Sequence, residues 1–134
     1  SFEKLAQNLF ICPSALAQHA ALACFEPEAM AVYRQRREEF RARRDFIVPA
    51  LRGLGFGVPV EPDGAFYVYV DCSAFSPDSA VFAADMLDQA GVAMVPGEDF
   101  GQHEPQRFLR VSYATGMADL REAVQRLQRW LPGR

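Results

Sequence analysis

RFLRVSYA, residues 107–114, is the stretch on which the reading of this chain turns. In an extended segment successive side chains alternate between two faces. Leu109, Val111 and Tyr113 therefore share one face, and Phe108, Arg110 and Ser112 share the other. The first set is apolar and belongs against other elements of the fold. Arg110 then projects from the opposite side of a strand that otherwise reads as core. A guanidinium in such a place is costly unless an anion meets it. Two sources are open. One is an ion pair with a local acid such as Asp71, Glu98 or Asp99. The other is a carboxylate from outside the chain, which a planar guanidinium takes in two parallel hydrogen bonds that lysine cannot reproduce.

Working outward, the Pro96-Gly97 turn precedes this strand, and Val92–Val95 reads as a brief strand before the turn. Ser76 and Pro77 open a helix that runs through Ala90, with Asp78 in its first turn and Gly91 closing it. A Pro62-Asp63-Gly64 turn introduces a strand from about Ala65 to Asp71, with Phe66, Val68 and Val70 on one face and Tyr67 and Tyr69 on the other. Leu120, Val124, Leu127 and Leu131 make the stripe of a closing amphipathic helix.

Toward the N-terminus, Phe2, Leu5, Leu9 and Phe10 recur at helical spacing, and Pro13 ends that helix. Ser14 can cap a second, alanine-rich helix through Phe25. Pro27 sits in the first turn of a long third helix. Its apolar seam is Tyr33, Phe40, Ile47, Leu51 and Leu54, and pairs such as Glu39–Arg43 support its charged faces. Pro49 should kink or divide it, and Gly53 and Gly55 stop it. The expected fold is α+β: a short, mainly antiparallel sheet with helices packed on one face, preceded by N-terminal helices.

The chain has 134 residues, half of them hydrophobic, which suits one globular domain. A net charge of -3 without a basic stripe argues against nucleic acid as a partner. Cys12, Cys24 and Cys72 have no ligand-like spacing, and His19 and His103 are the only histidines, so no metal site is expected. Buried reduced thiols in a cytoplasmic protein are the expectation. The uncharged run from Leu5 to Phe25 is interrupted by Gln7, Asn8, Pro13, Gln18 and His19, which argues against a membrane span or export signal.

The loop Pro96-Gly97-x-x-Phe100-Gly101 followed by Phe108–Ala114 resembles the C-terminal region of the class I/II aminotransferases, the pyridoxal-phosphate enzymes of the aspartate aminotransferase fold, or fold type I. RRDFIVPALRGLGF, PDGAFYVYVD and SALAQHAALACF line up with further parts of that region in the same order, so the resemblance covers nearly the whole chain. It implies residues 1–26 as the helical tail of a missing large domain or a hinge, and 27–134 as the small domain. It implies Arg110 as the grip on the substrate α-carboxylate, with Phe66 and Tyr67 near the cleft wall, although ordinary strand packing explains either one equally well.

Such an enzyme transfers an amino group between an amino acid and a 2-oxo acid, as a homodimer. Its pyridoxal 5'-phosphate needs a lysine, and the only one here is Lys4, a helix charge without a phosphate loop near it. The resemblance therefore puts the catalytic lysine upstream: no catalytic residue in this chain, no cofactor bound by it alone, and no activity alone. Same-fold lyases and synthases share this region, and a non-catalytic carboxylate-binding or dimerisation module is the alternative from another class.

Overall fold

A computed structural model describes residues 1–133. The chain divides into two compact units, Ser1–Glu38 and Glu39–Arg134. The first holds α1 (Phe2–Leu9), α2 (Ala15–Ala23) and the opening turns of α3 (Pro27–Leu54). Ser14 caps α2 as its sequence suggests, its hydroxyl accepting the Ala17 N–H at 3.2 Å. Neither α1 nor α2 buries any residue.

The second unit carries the sheet. Its strands are β1 (Tyr67–Asp71), β2 (Val95–Pro96) and β3 (Phe108–Ser112), in the order β1-β3-β2 and antiparallel throughout. Helices α4 (Ser79–Ala90) and α5 (Met117–Trp130) and the latter part of α3 supply the rest of the core. Ile47, Val48 and Leu51 from α3, Phe82 and Met86 from α4, and Leu120, Val124 and Leu127 from α5 are buried with Val68, Val70, Leu109 and Val111. The sheet thus has one helix-facing side, as the alternation in residues 108–113 requires, and the α+β expectation holds.

Local details depart from the sequence reading for identifiable reasons. Pro49 does not divide α3, which continues to Leu54. A proline costs an interior helix one hydrogen bond, and here the flanking turns bury Ile47, Val48 and Leu51 in the core. Gly53 lies inside the helix, and the stop falls at Gly55, whose φ of 101° suits glycine. β1 begins at Tyr67 and not at Ala65, because Ala65 has φ 58° and cannot join a ladder in that conformation. α4 begins at Ser79. Asp78 is its cap and not a first-turn residue, its carboxylate accepting the Ala80 and Val81 N–H groups at 2.9 and 3.1 Å. Of Val92–Val95 only Val95 enters the ladder, paired with Arg110, while Val92 and Met94 are buried as packing residues. The Glu39–Arg43 pair forms at 3.7 Å.

Candidate functional site: an arginine between two rings

Arg110 occupies the centre of β3, between Tyr69 on β1 and Val95 on β2. Directly opposed residues share a face, so these three side chains leave the sheet on the side away from the helices. Tyr67, two residues from Tyr69, stands diagonally beside Arg110 on that same side. The loop after β2 then returns over it. The Arg110 guanidinium carbon lies 4.2 Å from the centroid of the Tyr67 ring and 4.0 Å from that of Phe100. Cation–π attraction to each ring holds the group in place. In the sequence Phe100 is part of a loop motif only. No local signal says that its ring turns back onto the strand.

None of the three acids that could have neutralised Arg110 does so. Among the described residues Arg110 has no ion pair or hydrogen bond, and its Nε is sealed from solvent without a partner. Asp71 is taken by Arg107, whose Nη2 meets Asp71 Oδ2 at 2.6 Å while Nη1 meets Glu104 Oε2 at 2.7 Å. Burial works to raise the pKa of Asp71, but hydrogen bonds from Ser73 and from the Arg107 guanidinium outweigh it, so the carboxyl lies below its usual range. Glu98 and Asp99 are exposed on a 3₁₀ turn. The site therefore holds a cation without a local anion.

The loop that carries Phe100 is shaped by a close approach. Gly97 is buried, and a Cβ there would run into the Pro105 carbonyl oxygen and come within 2.6 Å of the Tyr69 hydroxyl. Only glycine lets the backbone pass that point. Tyr69 stacks on Phe108 at 4.9 Å and meets Phe100 edge-on at 6.4 Å, so aromatic rings floor the outer sheet face around Arg110. Phe66 instead packs with the helix-side cluster, against Phe40 at 6.0 Å, although its ring also lies 4.2 Å from that of Tyr67.

Elsewhere, a cavity of about 320 Å³ lies between α3, α5 and residues 91–94, lined by Leu51, Met94, Val111 and Leu120 with Asp119 and Arg126 among its polar groups. It opens from the helix-packed side and does not include Arg110. His19 and His103 are exposed. No three His, Cys, Asp or Glu among the described residues could hold a metal ion. No described helix is long and apolar enough to cross a membrane.

Residues 2–127 match the family model for aminotransferase class I and II. The chain belongs to this family. It is 39% identical over 128 residues to a valine–pyruvate aminotransferase of Mycobacterium tuberculosis, a match that takes in 96% of this chain and 33% of the relative. It is 41% identical over 121 residues to an aspartate/prephenate aminotransferase of Thermus thermophilus, covering 89% of this chain and 30% of that protein. A solved aminotransferase from Mycobacterium tuberculosis superposes with a TM-score of 0.88 at 39% identity, over 97% of this chain and 34% of that one. The chain thus spans about a third of the length of its relatives.

The family implies pyridoxal phosphate in the full-length enzymes. The residues present here do not fit that group. A Schiff-base lysine works from a desolvated pocket, whereas Lys4 is exposed on α1, with Gln7 and Asn8 on the next turn and Asn8 Nδ2 bonded to the Lys4 carbonyl at 2.6 Å.

Proposed function

We propose that this chain is the carboxylate-gripping portion of an amino-acid aminotransferase, and that Arg110 holds the α-carboxylate of the amino-acid and 2-oxo-acid substrates. One observation carries the reading: a guanidinium fixed between two rings, with its Nε sealed and no anion supplied by the described residues. Leaving a charge so placed uncompensated is unfavourable. A substrate carboxylate relieves it and is oriented by the same contact, which is a positioning contribution to catalysis. Tyr67 forms part of the wall beside that carboxylate, and Phe66 supports Tyr67 from behind.

On this reading residues 1–26 are the helical tail of, or hinge to, a larger cofactor-holding domain, and 27–134 are the small domain. The exposed apolar side chains of α1 and α2, Phe2, Leu5 and Leu9 among them, suit contact with such a domain. The catalytic lysine and pyridoxal phosphate belong to that domain, so this chain alone is inactive. The whole enzyme is a cytoplasmic homodimer.

The test is Arg110→Lys in the product of the complete gene. Charge-assisted hydrogen bonds contribute about 1.5–3 kcal/mol, so loss of the bidentate grip should cut kcat/KM for the amino donor by about a hundredfold, with a raised KM. Wild-type kinetics in that variant would remove the carboxylate role.

A further inference from the structure

The two rings on Arg110 do more than hold it. Each centroid lies within 4.2 Å of the guanidinium carbon, yet the Tyr67 ring pairs with Phe66 and the Phe100 ring with Tyr69, not with one another. Two rings this close to one atom and out of contact with each other must flank it from different sides. Nε is sealed as well. Nη1 and Nη2 are not sealed in this way, and neither has a partner among the described residues. One approach remains open to an anion: end-on, across Nη1 and Nη2, between the two rings.

We infer that Phe100, with Tyr67, is a positioning and specificity-determining residue that makes the Arg110 site selective for planar carboxylates over tetrahedral anions of the same charge. This rests on the reading of Arg110 as a carboxylate receptor and adds to it the reason for its selectivity. A carboxylate offers two oxygens that lie in the guanidinium plane and match Nη1 and Nη2. A sulfonate can offer the same two, but its third oxygen stands out of that plane. There it meets the negative face of an aromatic ring. The residue that closes the second side is Phe100, which is 42% exposed and comes from a loop, so its ring can be altered without opening the core.

The experiment compares butanoate with propanesulfonate as competitive inhibitors of the complete gene product, read both as Ki against the amino donor and as calorimetric binding. Wild type should favour butanoate. Phe100→Leu should weaken butanoate about threefold, as loss of one partly exposed cation–π contact allows, and bring the butanoate-to-sulfonate ratio toward one. Phe100→Tyr keeps an aromatic face and should retain both the affinity and the ratio. If Phe100→Leu weakens both anions equally, or leaves both unchanged, while Arg110→Lys still abolishes discrimination, the inference fails and the arginine reading survives. If Arg110→Lys leaves butanoate binding at the wild-type value, both fall together.

Discussion

The unit Ser1–Glu38 and the unit Glu39–Arg134 are built on different physics. In the first, α2 is alanine-rich and capped by Ser14, yet neither it nor α1 buries anything; Phe2 on α1 is 89% exposed and Ile11, between the two helices, 81%. In the second, Leu51, Val70, Met86 and Leu109 are fully buried in one cluster drawn from three helices and a sheet. Isolated helices of eight or nine residues are marginal in water, and tertiary packing supplies most helical stability. Local signals therefore specify the first unit's elements without securing them. The second unit has both, and it is the one that carries Arg110.

Thiol reactivity should separate the two units by the widest margin. Against the expectation of buried thiols, Cys12 and Cys24 are exposed in the first unit; only Cys72 is buried, in the second, its thiol donating to the Arg107 carbonyl at 3.3 Å. Burial, with the Asp71 charge nearby, pushes the Cys72 pKa up to about 11. Native labelling of this chain should modify Cys12 and Cys24 quickly and Cys72 at least about a thousandfold more slowly, at the rate of opening of the core. Three equal rates would erase the distinction.

Core truncation comes next. Leu51→Ala and Leu109→Ala should each cost about 2–5 kcal/mol in denaturant unfolding. Leu9→Ala should stay within about 0.5 kcal/mol, since its side chain is exposed. Comparable losses at Leu9 and Leu51 would show that the first unit shares the cooperative core. Gly97→Ala should cost about 1–3 kcal/mol through the overlap with the Pro105 carbonyl and Tyr69 hydroxyl. By displacing the loop it should also weaken carboxylate binding in the complete gene product, a loss that a stability effect alone would not produce at low temperature.

The smallest effect is a pH dependence confined to the second unit. The Asp71 carboxyl is held low in the folded chain, so it binds fewer protons there than in the unfolded chain. Its stabilising contribution is fully present above the unfolded value, about 3.9, and is lost as pH falls from there through the folded value. Asp71→Asn should flatten that acid limb in unfolding curves recorded below about pH 5. An unchanged limb would mean that the Arg107–Asp71 link does not couple to folding.

Much of the fold was legible because its signals are local. The period-two pattern of Leu109, Val111 and Tyr113 and the helical stripe of Leu120, Val124, Leu127 and Leu131 each point to the core, and all seven are buried. Ser14 and Gly91 mark helix ends because capping depends on residues a turn away or less. Element starts were less legible where a backbone conformation intervened. Ala65 looks like a strand residue by composition and is not one, because its φ is positive. Pro49 looks like a break and is not one, because buried side chains on either side hold α3 together.

The candidate site divides along the same line. Alternation along β3 was enough to put Arg110 on the face away from the helices and to raise the question of its anion. It could not say which acid would be near, since Asp71 is 36 residues from the Arg107 that claims it and 39 from Arg110. Strand register makes that choice, by pairing Asp71 with Phe108 and Tyr69 with Arg110. Nor could a motif tell where the Phe100 ring would go. That depends on how the loop passes Gly97 and Tyr69, a close approach that exists only once the sheet has formed. Side-chain direction along a strand is set within a few residues of chain; the company a side chain keeps is set by distant segments that the tertiary fold brings together.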